Sequence, residues 1–229
     1  MTDAIRPLSL SLSDACFLHW PVPADAVRPL IPEWTDPDTF DGTAWVSAVA
    51  LSIDRLDAFE LPVREGLEAV SVRTYVDTPG GDRAVCFLSL DVTDGLAADA
   101  VRRVFRLPAS RATVRRRRDG DRTEVVARRR GGERGRLTVT FEPVGDPGRT
   151  APDTLSSFLV DRSRYVATGP LGTQLVGSVG HSPWRVRSAD ATVTERSLLA
   201  PVGVDATADP SLVHHSPGLD MTVGALVPR

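Results

Sequence analysis

Apolar residues recur at every second position in segment after segment of this chain, the period of a strand with one face buried. Between Thr43 and Ile53, Trp45, Val49, Leu51 and Ile53 fall on one face. Between Val70 and Val76, Val70, Val72, Thr74 and Val76 face one way, while Ser71, Arg73 and Tyr75 face the other. Ala84 to Val92 is apolar on both faces, which predicts a strand in the middle of a sheet. The Pro79-Gly80-Gly81-Asp82 run between these two predicts a hairpin connection. Further strands are predicted at 111–118, 122–130, 134–142, 164–169, 173–179, 184–196 and 221–227. Helices are few. Pro23 to Ile31 presents Val27, Leu30 and Ile31 on one side, and 153–160 predicts a second short helix. The clearest one carries the stripe Ala97, Ala100, Val101, Val104 and Phe105, with Asp94 as its cap and Pro108 as its stop. A mainly β chain hides its sheet edges by closing the sheet, so a closed or nearly closed β-barrel with a few outer helices is expected. With 229 residues and no linker or repeat, one domain spanning 1–229 is expected.

Composition then limits the chemistry. The chain has no lysine: all 27 basic side chains are arginine. No side-chain amine is available to form a Schiff base with a carbonyl substrate or with pyridoxal phosphate. A Walker-A phosphate loop and a protein-kinase site lack their essential cation for the same reason. The 22 Asp against 8 Glu, taken with the missing lysine, suggest biased composition, from a GC-rich genome or a salt-loving (halophilic) host. Hydrophobic content of 41% and charged content of 25% fit a globule rather than a disordered chain. No apolar run reaches the length of a membrane helix, and MTDAIRPLSL lacks the layout of a signal peptide, so no membrane partner and a cytoplasmic location are expected. Cys16 and Cys86 are far apart and outside any C-x-x-C spacing, and Cys86 in AVCFLSLDV reads as a small buried hydrophobe. His19, His181, His214 and His215 show no usual metal-ligand spacing, so neither metal nor cofactor is expected.

Charge is unevenly spread. From Arg102 to Arg136 there are 14 Arg against 4 acids, within a net charge of −3 for the chain. The Arg-rich hairpin at about 111–136, turning at Asp119-Gly120, sends Arg115 and Arg117 to one face and Arg116 and Arg118 to the other. That alternation predicts a hairpin extending past the barrel, wet on both sides. Interleaved aromatics, which stacking on nucleic acid requires, are missing from it. Polyanion or nucleic-acid contact through phosphates, and pairing of hairpins in a homo-oligomer, are the alternative functions this segment suggests.

The blocks FLHWPVPADAVRPLIP, DTFDGTAWVSAV, VRTYV, FLSLD, VFRLP and HSPWRVRSA, in this order, resemble YqjF-like proteins. That uncharacterised family lies in the acetoacetate-decarboxylase-like superfamily, and the resemblance runs from about Phe17 to Ala189. It implies a β-barrel core with outer helices, enclosing a small-molecule cavity. In acetoacetate decarboxylase a Gly-Phe-Pro-Lys segment supplies the amine that attacks the ketone. Here the matching segment looks like Arg106-Leu107-Pro108-Ala109, with the methyl group of Ala109 at the nucleophile's position. With no lysine elsewhere, the Schiff-base mechanism does not carry over.

Arg73 and Tyr75, two apart on one strand, leave the same face. Facing a lumen, Arg73 offers a planar five-donor fork suited to a carboxylate, and Tyr75 adds a hydroxyl beside an apolar ring. Facing solvent, both are ordinary strand residues. Glu68, preceding that strand, is a candidate partner for Arg73 or a general base, against the plainer reading of a loop carboxylate. In His181-Ser182-Pro183-Trp184-Arg185, His181 is a candidate for proton transfer, Trp184 for an aromatic wall, and Arg185 or Arg187 for a second cation. The plainer reading makes His181 a turn residue bonded to backbone. Ser182 beside His181 lacks a G-x-S-x-G elbow and signals no hydrolase. His19-Trp20 reads as a packed strand pair and His214-His215 as part of a mobile loop. The function expected is a barrel that holds a small organic anion or carbonyl compound, with Arg73, Tyr75, Trp184 and Arg185 as its ligand-binding residues.

Overall fold

The computed structural model describes residues 8–131, 135–200 and 209–229. Its strands are β1 (Leu8–Val22), β2 (Asp36–Pro37), β3 (Ala44–Ala58), β4 (Leu61–Asp77), β5 (Arg83–Val92), β6 (Ala109–Asp119) and β7 (Arg122–Arg129). There follow β8 (Arg136–Arg149), β9 (Arg164–Thr168), β10 (Gln174–His181), β11 (Arg185–Glu195), β12 (Leu212–Val223) and β13 (Val227–Pro228). Three α-helices accompany them: α1 (Ala24–Val27), α2 (Gly95–Val104) and α3 (Leu155–Val160). The mainly β architecture expected from the period-two pattern is what the chain adopts.

All thirteen strands belong to one hydrogen-bonded sheet. Two strands have a divided outer edge. β5 pairs with β4 along one side, and on the other with β9 at Val85 and Cys86 and with β6 from Leu90 to Val92. β12 pairs with β1 along one side, and on the other with β11 at His214 and His215 and with β10 from Met221 to Val223. The ladder therefore closes in two circuits rather than one. The first runs β5-β4-β3-β1-β12-β10-β9, and the second runs β5-β4-β3-β1-β12-β11-β8-β7-β6. They share the wall β4-β3-β1.

Each shared strand sends alternate side chains into two interiors. Trp45, Val49 and Ile53 of β3, with Leu67, Ala69 and Tyr75 of β4, face the first. Val46, Ala48 and Ala50, with Val70, Val72 and Val76, face the second, which Val114, Val125, Leu137 and Phe141 complete. On β1 the face changes partway. Leu12 and Phe17 lie in the same apolar cluster although their numbers differ by an odd count. A bulge between Ser13 and Cys16, with Asp14 at φ 46°, inserts the extra residue that flips the parity.

The segment read as a mobile loop, His214-His215, is instead buried in β12. The Ser216-Pro217-Gly218 signal misleads because Pro217 sits opposite the Asp14 bulge, between the pairs Ala15–Ser216 and Ser13–Gly218, where the ladder asks for no N–H. The Arg-rich segment also departs from expectation. β6 and β7 are built into the second circuit, with Ala112, Val125 and Ala127 buried, and only the other face is wet. Arg116 points inward, contrary to its assignment to a solvated face, because acids from β1 and β4 meet it there.

α2 begins as expected at Asp94, whose carboxylate accepts from Ala97 N at 2.9 Å. That backbone N–H, with the Arg64 guanidinium, holds Asp94 below its usual carboxylate range. Cys16 and Cys86 are free and buried, and burial pushes the Cys86 thiol up to about 12. Among the described residues no helix is long and apolar enough to cross a membrane.

Candidate functional site

On the first-circuit face of β1, β3, β4, β5 and β12 lies a partly open cavity of about 180 Å³, bordered by Ala97 and Val101 of α2 and by Phe105. Its wall is hydrocarbon from Leu10, Leu12, Phe17, Val49, Leu51, Leu90 and Met221, with Trp184 among its aromatics. Ser71 and Arg73, both from β4, are the polar side chains lining it. β5 carries a bulge opposite Val72 and Arg73, so the ladder is irregular where the arginine enters.

Arg73 is half-buried. Its guanidinium carbon lies 5.5 Å from the Phe17 ring centroid, and Nη2 donates to the Leu159 carbonyl at 3.2 Å. Nε is buried with no partner. Two other interior arginines also leave one nitrogen unsatisfied, Arg116 and Arg162, but both are paired with acids. Arg116 reaches Asp14 and Glu68 at 2.8 and 2.9 Å, and Arg162 reaches Asp38 at 2.7 Å. Among the described residues no carboxylate pairs with Arg73. A cation beside a hydrocarbon cavity, with a spare N–H and no counter-ion, is an arrangement an anion completes.

Tyr75 comes to the same place but is wholly buried behind the cavity wall. Its hydroxyl donates to the Leu159 carbonyl at 2.7 Å, so Arg73 and Tyr75 share that acceptor. Arg162 covers the Tyr75 ring at 5.0 Å. Trp184 is buried and stands edge-on to Phe17, 5.1 Å between centroids at 85°. These three predicted residues are thus brought together.

The others are not. Arg185 is exposed and donates to the Pro147 carbonyl at 2.9 Å, outside the cavity. His181 is the last residue of β10, in register with Met221 of β12. Its ring nitrogens lie 2.7 Å from the Ser182 carbonyl and 3.1 Å from that of Arg162, so the ring is bonded to backbone at a strand end rather than in a turn. Glu68 lies inside β4 rather than before it, and even numbering turns it to the second interior, away from Arg73. There it accepts from Ser52 Oγ at 2.7 Å and from Arg116 Nε at 2.9 Å.

That second interior holds its own polar cluster. Arg187 Nε donates to His215 Nδ1 at 3.2 Å, which leaves Nε2–H to donate to Asp14 at 2.9 Å. Burial works to raise Asp14, but the His215 and Arg116 partners outweigh it and hold the carboxyl below its ordinary range. Every acid in this cluster has a cation. It closes a seam between β1, β4, β6, β11 and β12 without offering a vacant group to a ligand, apart from one Arg116 nitrogen.

Sequence reasoning missed two histidines. His19, wholly buried, has Nδ1 2.6 Å from Ser47 Oγ and Nε2 3.1 Å from His214 Nδ1. His214 Nε2 lies 2.9 Å from Ser156 Oγ on α3, and Ser47 Oγ lies 2.7 Å from the Tyr75 hydroxyl. Burial, then the charges on His214 and Arg73, push His19 well below its usual value, and burial lowers His214 to about 4. The available signal was alternation. His19 shares the β1 face of Phe17, and a polar ring on an apolar face has to find a partner.

Ala109, at the position expected for the nucleophile, is buried at the start of β6 in the same apolar cluster as Trp184 and Phe17. Leu107, two residues earlier, lines the cavity. No group of three or more His, Cys, Asp or Glu among the described residues is placed to hold a metal.

With this geometry established, known proteins supply a frame. The chain is 28% identical over 222 residues to the uncharacterized protein YqjF of Bacillus subtilis (strain 168), covering 96% of this chain and 91% of that one. Among solved structures it is similar to the enduracididine biosynthesis enzyme MppR complexed with pyruvate, at a TM-score of 0.68 and 13% identity over 97% of this chain and 90% of that one. Acetoacetate decarboxylase from Legionella pneumophila gives a TM-score of 0.67 at 9% identity, over 96% and 86% of the two chains. An acetoacetate decarboxylase-like enzyme from Sphingomonas wittichii RW1 gives 0.65 at 11%, over 100% and 94%. These likenesses establish the acetoacetate-decarboxylase-like fold. A family model described as an uncharacterized conserved protein matches residues 9–220, and the chain belongs to that family, DUF2071.

Proposed function

We propose that the first-circuit cavity binds a small monocarboxylate with an apolar body, held by an ion pair to Arg73. The observation that carries this is Arg73, which lines the cavity and has a buried Nε without a hydrogen-bond partner and no acidic partner among the described residues. The volume of about 180 Å³ limits the guest. It is comparable with the ~150 Å³ that admits a benzene-sized molecule elsewhere. Branched-chain, aromatic and short oxo-acids fit that limit. The pyruvate complex of a fold neighbour supports the class of small oxo-acid without identifying the compound. Binding is non-covalent in this reading, because the chain has no lysine and Ala109 presents only a methyl group. Trp184 and Phe17 supply the aromatic wall, and Tyr75 fixes the Leu159 carbonyl against which Arg73 is aimed.

Calorimetry and thermal unfolding with pyruvate, isovalerate and phenylacetate, each beside its uncharged amide, test the proposal. The acids should stabilise the wild type and their amides should not. Arg73→Met should weaken acid binding about 30-fold or more, the equivalent of ~2 kcal/mol for truncating one partner of a buried charge pair. Equal responses of wild type and Arg73→Met to all three acids would refute it.

A further inference from the structure

The buried polar residues behind the cavity form one continuous chain, and its hydrogens can be assigned from one end. The Leu159 carbonyl can only accept, so the Tyr75 hydroxyl donates to it at 2.7 Å. Tyr75 oxygen must then accept from Ser47 at 2.7 Å, and Ser47 oxygen must accept from His19 Nδ1–H at 2.6 Å. A neutral His19 leaves Nε2 as an acceptor, which takes the Nδ1–H of His214 at 3.1 Å. His214 Nε2 in turn accepts from Ser156 at 2.9 Å. Every link holds one hydrogen, both rings are neutral, and every donor points from α3 toward the cavity wall. Ser156, at the outer end, is partly exposed.

We propose that Ser156, His214, His19, Ser47 and Tyr75 form a proton path beside the Arg73 cavity, and that the histidine pair takes up one proton when a carboxylate occupies Arg73. This rests on the anion-binding reading of the cavity. The step is a transfer between nitrogens. A proton arriving at His214 Nε2 makes an imidazolium, whose Nδ1–H bond breaks as the proton passes to His19 Nε2. His214 is left neutral with its hydrogen on Nε2, and His19 carries the charge.

The groups facing the pair set the sign. Phe17 and Ser47 face His19 from β1 and β3, and Arg73 and Tyr75 from β4. His214 faces it from β12, and Ser156 faces His214 from α3. Arg162 lies across the Tyr75 ring. Among the described residues no carboxylate hydrogen-bonds or ion-pairs with either ring. His215, the next residue, is turned to Asp14 in the other interior. The Arg73 cation thus opposes a charge on His19 until a bound anion cancels it. Binding the anion together with a proton leaves the net buried charge unchanged, which a low-dielectric interior favours.

Histidine-labelled NMR of the full chain is the test. At neutral pH both rings should show the Nδ1–H tautomer; His19 in the Nε2–H form overturns the path. The titration midpoint of the pair should rise by about half a unit or more in Arg73→Met and stay at the wild-type value in Arg73→Lys, which keeps the charge. Identical midpoints in all three proteins overturn the coupling. Calorimetry with phenylacetate in buffers of different ionisation enthalpy should show net proton uptake, and binding without uptake overturns it. Failure of phenylacetate and the other acids to bind would sink the ligand reading alone, because the tautomers and the Met–Lys difference are read without ligand.

Discussion

Two interior arginines give opposite forecasts for the same substitution. Arg129 grips Asp91, wholly buried, through Nε and Nη2 at 2.8 Å each. Arg129→Met strands that carboxylate and should destabilise the protein by about 3 kcal/mol or more. Arg73 has no acid to strand, so Arg73→Met should leave the ligand-free protein as stable as wild type or slightly more so, measured by urea unfolding. A loss of stability at Arg73 comparable to that at Arg129 would mean that the guanidinium is structural. The histidines add a pH dependence whose sign is fixed. His214 titrates near 4 in the folded chain against 6.5 when unperturbed, and His19 lies well below 6.5 as well. Between those values the unfolded chain binds more protons, so stability is lost as the pH falls from about 6.5 toward 4. Urea midpoints at pH 7.5, 6 and 5 should decrease in that order, and the slope should flatten in His214→Gln.

Elements were legible in the sequence where a pattern was local. The period-two runs of β3 and β4, the run of β5 that is apolar on both faces, the capped α2 and the Pro79-Gly80-Gly81-Asp82 connection needed only neighbouring residues to be seen. What escaped depended on distant partners. Arg116 looked like one more solvated arginine, because nothing near it in sequence shows that Asp14 and Glu68 wait on the inner face. His19 and His214, 195 residues apart, give no sign of each other until β1 and β12 pair. Arg73 and Tyr75 were identifiable from their spacing and the neighbouring family motif, whereas Arg185 was placed at the site only by its nearness to Trp184 in sequence. The Arg-rich element supplies its own test. Arg115, Arg117 and Arg128 line an outward groove of about 540 Å³. Changing all three to Gln should move stability by no more than ~0.5 kcal/mol each, as for ordinary surface positions. The single change Arg116→Gln should cost more than all three together, since it leaves two carboxylates without their cation. Thermal unfolding of the two variants decides between an inward and an outward Arg116.

On the scale of the whole molecule, the shared wall of β1, β3 and β4 is the organising feature. Residues 44–50 are buried without interruption, whereas β7 alternates between exposed and buried. Strands of ordinary sheets keep a water-side register in which sequence can drift freely. The wall has none, because its two sides line two different rooms. Saturation mutagenesis scored by folded yield should therefore show a tolerance profile that oscillates with period two along 122–129 and runs flat and low along 44–50. Evolution of a new guest preference in one room has to proceed through positions whose neighbours on either side already furnish the other, so the lineage's freedom to explore lies in the outer strands and the α2 border.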